Sequence, residues 1–145
     1  MSDPRKYADT VNRVVPLLMV TDMERSLRYY QDGLGFTMGN TWVVDGKLRW
    51  CWLELGTAAL MLQEWNPGRH PDAGAKTGFG VSLWFNCTDS IAIYRDVIAR
   101  GIEAIEPQVG NFAWEFFMSD PDGYRINFTS PTDYPDETKL SETDL

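Results

Sequence analysis

The chain writes one order of elements twice, and no other feature narrows its fold as much. Residues 14–20, VVPLLMV, read as a strand. Asp22 then caps a helix in which Leu27, Tyr30 and Leu34 recur at helical spacing, and Gly33-Leu34-Gly35 ends it. Three strands follow, at 36–44, 47–55 and 58–65; Asp45-Gly46 joins the first two and is a strong hairpin signal. A stretch rich in Pro and Gly runs from Asn66 to Gly78 and reads as a linker. The pattern then restarts. A strand at 80–85 leads to a helix capped by Thr88 or Asp89, with Ile91, Tyr94, Val97 and Ile98 as its apolar side and Gly101 at its end. Extended pieces at 102–105 and 107–109 precede strands at 114–119 and 124–129, with Asp120-Pro121-Asp122-Gly123 turning between these last two. The fold class is therefore α+β: strand–helix–three strands, repeated at an offset of about 65 residues. Each half of about 55 residues would be marginal alone, so the halves should share one core.

Pro16 qualifies the first strand. It has no ladder donor, so this strand is expected at an edge, at a bulge, or exchanged with a partner chain. The single domain is expected to span 12–130, as modules of about 12–65 and 79–130. The segment 131–145 carries five acids and one lysine and reads as an acidic, solvated tail.

Composition bounds the partners. Of 145 residues 43% are hydrophobic and 13% aromatic, including six Trp, which is ample for a packed core. Thirteen basic against 21 acidic residues give a net charge of -8, and nucleic acid binding needs a basic footprint. No apolar run reaches the roughly 18 residues of a membrane helix, and no signal peptide is legible, so a cytoplasmic protein is expected. Cys51 and Cys87 have no metal or redox spacing and read as free thiols. His70 is the only histidine and lies in the linker, which leaves no HxxxH or HExxH pair and no obvious base for a nucleophile.

Strand parity sorts the aromatic residues. Trp50, Trp52 and Glu54 share one face, and Cys51, Leu53 and Leu55 take the other, which should meet the helix. A core would not favour Glu54, since a buried carboxylate costs several kcal/mol unless paired. Arg49 and Arg125 are the expected candidates for that pairing. In the last strand Arg125, Asn127 and Thr129 alternate with Tyr124, Ile126 and Phe128. Parity alone leaves open whether Trp114, Phe116 and Met118 or Glu115 and Phe117 face the core.

Residues 14–36, VVPLLMVTDMERSLRYYQDGLGF, resemble the opening of a module of the vicinal oxygen chelate superfamily, and residues 120–128, DPDGYRINF, resemble its closing hairpin. That group includes glyoxalase I, extradiol dioxygenases, and fosfomycin- and bleomycin-resistance proteins. The resemblance implies two fused βαβββ modules forming a cupped mixed sheet around a cavity, in a homodimer with two cavities at its interface. Its enzymes hold a metal at four places, which fall here near Val15, on Met61 or Gln63, on Gly80 and on Asn127. Two of the four carry no ligating side chain, so the resemblance leads to no metal, no cofactor and no catalytic residue. It lies nearest the metal-free bleomycin-resistance branch, to which Pro16 in the first strand and the run GNFAWEFFMSDPDG also correspond. The implied function is sequestration of a small aromatic or cationic molecule, with a bleomycin-type antibiotic as the implied example. The ligand-binding set is Trp50, Trp52, Glu54, Gln63, Phe112, Trp114 and Asn127. The alternatives are a glyoxalase- or dioxygenase-like lyase or oxidoreductase of the same superfamily, and a non-catalytic dimeric accessory protein.

Overall fold

A computed structural model describes residues 3–66 and 77–145. His70 and most of the Pro/Gly-rich stretch lie outside the described residues.

The repeat is present as two four-stranded sheets of identical topology. The first half holds β1 (Leu17–Val20), α1 (Met23–Leu27) continued by a π-helical segment (Arg28–Gly33), β2 (Thr37–Val44), β3 (Lys47–Leu55) and β4 (Ala58–Glu64). The second holds β5 (Ser82–Asn86), α2 (Ser90–Ala99), β6 (Gln108–Gly110), β7 (Ala113–Ser119) and β8 (Arg125–Pro131). The strand orders are β1-β4-β3-β2 and β5-β8-β7-β6, each with its first pair parallel and the others antiparallel.

Local chemistry accounts for these elements. The Asp22 carboxylate accepts from the Arg25 amide at 3.1 Å and the Asp89 carboxylate from the Ala92 amide at 3.0 Å, so each helix starts on an Asp cap. The β2–β3 hairpin turns on Asp45 and Gly46, both at positive φ, as a tight hairpin with native twist requires.

The two sheets turn their helix-bearing faces into one core. A chain of rings crosses the seam: Tyr30 meets Phe36 at 5.6 Å between centroids, Phe36 meets Phe85 at 5.9 Å, and Phe85 stacks on Phe128 at 5.2 Å. Buried polar groups lock the seam. The Tyr30 hydroxyl donates to Asp120 at 2.7 Å, and the Thr21 hydroxyl donates to Asp122 at 2.6 Å. The Tyr124 hydroxyl accepts from the Met19 amide at 3.1 Å and donates to the Met19 carbonyl at 2.9 Å, completing the outer edge of β1. The DPDG turn is therefore both a hairpin and the clasp between the halves.

Four details differ from the sequence reading. Strand β1 begins after Pro16, whose carbonyl accepts from the Met61 amide at 2.8 Å. The proline thus stands where no donor is needed. Residues 102–105 form no strand. Ile98 is exposed, and Ile93 packs against the core in its place. The segment after 131 is docked: the Val109 amide donates to Thr138, the Glu137 amide to Val109, and Tyr134 packs on Trp114 at 5.5 Å. Charge content suggested a solvated end, but backbone pairing along the open edge of β6 holds the segment.

Candidate functional site

Because both helix-bearing faces are turned inward, the opposite face of each sheet is left open. On the first sheet, register places Met19, Gln63, Trp50 and Trp42 in one row across β1, β4, β3 and β2, and Leu17, Met61 and Trp52 in the next. The expected alternation holds here: Cys51 and Leu53 are fully buried, while Trp50 and Trp52 are half-buried and Glu54 is exposed. Burial pushes the Cys51 thiol up to about 11, so this cysteine is an inert core group.

Glu54 does not pair with Arg49 or Arg125. It accepts a hydrogen bond from Trp52 Nε1 at 2.8 Å, while the Arg13 guanidinium lies over the Trp52 ring at 5.3 Å. Arg49 turns to the helix side, where Glu64 is also held by Lys47 Nζ at 2.7 Å and by the Met23 amide at 3.0 Å. Burial would raise the Glu64 carboxyl, but these partners outweigh it and hold it below the ordinary range. Glu64 is therefore a structural anchor for the start of α1.

On the second sheet, Trp84, Asn127 and Phe117 form one row across β5, β8 and β7. The Trp84 and Phe117 rings meet edge to face at 5.6 Å. Asn127 lies between them with 0% exposure, and neither end of its amide has a partner among the described residues. An unpaired buried polar group costs about 1–3 kcal/mol. Such a group is a candidate hydrogen-bonding point for a bound molecule. Beside it the Arg125 guanidinium stacks on Phe117 at 4.1 Å.

Two expected site residues lie elsewhere. Trp114 is only 4% exposed and packs with Ile91 and Val109, because Trp114, Phe116 and Met118 are the core-facing set of β7. Three large apolar residues against a face containing Glu115 was the signal that resolves this parity. Phe112 is exposed on the β6–β7 turn at positive φ, off both faces. Conversely, Trp84 and Phe117 flank Asn127 and were not in the expected set; cross-strand register, which sequence alone does not supply, brings them there. A cleft of about 840 Å³ runs along the seam between the halves, lined by Arg13, Pro16, Leu34, Trp84, Phe85 and Arg100 among others; it touches none of the seven expected residues but reaches the edge of each aromatic face at Arg13 and Trp84.

The donors on these faces do not suit a divalent metal. Val15 and Gly80 precede their strands, and the row partners of Gln63 and Asn127 are Met19 and Trp84. Neutral amides, a thioether and an indole offer no deprotonated ligand. Among the described residues no group of three or more His, Cys, Asp or Glu is placed to hold an ion.

Paired βαβββ halves, each with one open aromatic face, define a class, and comparison with known proteins agrees. Residues 10–128 match the family model for the Glyoxalase/Bleomycin resistance protein/Dioxygenase superfamily, and the chain belongs to that superfamily. Among solved structures it is similar to TnmS3, an antibiotic binding protein from Streptomyces sp. CB03234, with 22% identity, 84% of this chain and 98% of that one covered, and a TM-score of 0.67. It is also similar to a glyoxylase/bleomycin resistance protein/dioxygenase domain from Frankia sp. EAN1pec, with 19% identity, 86% and 95% covered, and a TM-score of 0.69. At these identities the likeness is one of fold. A search of the curated proteins finds no match to the chain.

Proposed function

We propose that this protein binds and sequesters a small aromatic molecule of antibiotic type, without catalysing its conversion. One observation carries the reading: the buried amide of Asn127, without a partner among the described residues, beneath Trp84 and Phe117 on an open sheet face. The aromatic face of Trp50 and Trp52 supplies a second wall. The fold it shares with an antibiotic binding protein supports the same reading. A metal-dependent lyase or dioxygenase would need donors that the rows around Gln63 and Asn127 do not offer.

The two walls lie on opposite sides of the shared core, so one chain cannot close both on one guest. The working unit is therefore a homodimer, in which the first-sheet face of one protomer meets the second-sheet face of its partner. The four half-sites of the dimer then combine in pairs into two cavities. Uncovered Trp42 and Trp84, 55% and 49% exposed, favour such closure over a monomer. The binding domain extends over 12–130, consistent with the matched span 10–128. No described helix is long and apolar enough to cross a membrane. A reducing, cytoplasmic setting suits the two free thiols.

A thermal-shift screen of bleomycin-type glycopeptides and planar aromatic antibiotics tests the function, since a ligand of the native state raises the melting midpoint by mass action. A hit that also quenches tryptophan fluorescence supports it. A screen in which metal ions alone stabilise the protein would replace it with an enzyme reading.

A further inference from the structure

The aromatic walls come with their own cations. Arg13 lies over Trp52 at 5.3 Å and Arg125 over Phe117 at 4.1 Å. Each wall also carries one carboxylate, Glu54, which accepts from the Trp52 indole, and Glu115, which shares the outward face of β7 with Phe117, so neither wall has an excess of one charge. A cationic guest stacking on either wall would have to displace a guanidinium from a ring or sit beside a like charge. An anionic guest meets the opposite difficulty, because the whole chain carries a net charge of -8. Local and long-range charge together select an uncharged ring.

Asn127 adds the polar specification. A primary amide offers donors on Nδ2 and acceptor lone pairs on Oδ1, and in this fully buried side chain neither end has a partner among the described residues. A group that satisfies both at once must present an acceptor and a donor on one edge. We infer that the guest is an uncharged planar ring system carrying a hydrogen-bond donor next to an acceptor, as in a cyclic lactam. This inference rests on the aromatic-face reading above. Trp84, half-exposed and tethered by its Nε1 to Ser82 Oγ at 2.8 Å, is the ring that must swing aside for the guest's polar edge to reach Asn127. A site built around a donor–acceptor pair discriminates sharply against an analogue lacking one of the two, because the buried amide is then left half-paired.

Four three-ring probes of similar shape test this by fluorescence titration and calorimetry: the lactam phenanthridin-6(5H)-one, its N-methyl derivative, the N-methylphenanthridinium cation and phenanthrene-9-carboxylate. The lactam is expected to bind at least tenfold more tightly than each of the other three. Arg125→Gln should narrow the gap between lactam and cation. Asn127→Leu should abolish the gap between lactam and N-methyl lactam. Should that variant fail to fold, the comparison of the two lactams on the wild-type protein decides the same point. A cation or anion that binds as tightly as the lactam overturns the charge selection, and equal affinity for the two lactams overturns the role of Asn127; in both cases the aromatic site itself stands. If none of the four probes binds, the site reading falls and the inference with it.

Discussion

Two tryptophans that look alike in sequence have opposite physical roles. Trp114 is buried against Ile91, Val109 and Tyr134, whereas Trp52 lies on an open sheet face. Truncating a buried tryptophan to alanine costs about 3–5 kcal/mol through lost transfer energy and the cavity left behind. Trp114→Ala is therefore expected to lose that much in urea unfolding, and Trp52→Ala to lose under about 1.5 kcal/mol while its ligand affinity falls. Glu64 shows a different residue-level effect. Its partners hold its folded-state pKa below the ordinary value of 4.5, so the stability it contributes is fully present above that value and is lost as pH falls through the lowered one. The difference in unfolding free energy between wild type and Glu64→Gln should be constant from pH 7 to about 5 and shrink below it. A difference that grows on acidification would contradict this assignment.

At the scale of elements, β1 depends on a side chain from the other half. Its outer edge is completed by Tyr124, whose hydroxyl bonds both backbone groups of Met19. Tyr124→Phe removes both bonds and leaves two backbone groups short of partners, at a cost of about 1–3 kcal/mol. Amide exchange should accelerate at Met19 more than at Leu53 in the centre of the sheet. Equal acceleration at both would mean that the mutation acts globally. Such elements were legible in sequence to very different degrees. The Asp22 and Asp89 caps, the Asp45-Gly46 hairpin and the alternation of Trp50, Cys51, Trp52 and Leu53 are local signals, and the structure bears them out. The docking of Thr138 and Glu137 along β6 depends on contacts distant in sequence, and an acidic composition hides it. The flanking of Asn127 by Trp84 and Phe117 likewise follows from a parallel and an antiparallel register that no local pattern encodes. The Trp50 and Trp52 face was therefore readable from one strand and Asn127 was expected from the family resemblance, whereas the rings that flank it come together only once three strands are assembled.

For the whole molecule, the decisive property is that the halves share one core and so face their aromatic sheets away from each other. Under the proposed function, a second copy of the chain closes both walls on a guest. Sedimentation at micromolar concentration should give about twice the 16.5 kDa of one chain. A more direct test uses two variants that each damage one wall, Trp52→Ala and Asn127→Leu, and a compound that stabilises the wild type. Homodimers of either variant have two defective sites. A mixed dimer places both lesions in one site and leaves the other with two intact walls. Calorimetric titration of the mixed, re-equilibrated sample should therefore recover wild-type affinity at one site per heterodimer. If mixing dimeric variants restores no tight binding, the two walls do not meet across the dimer, and the proposed site is contradicted.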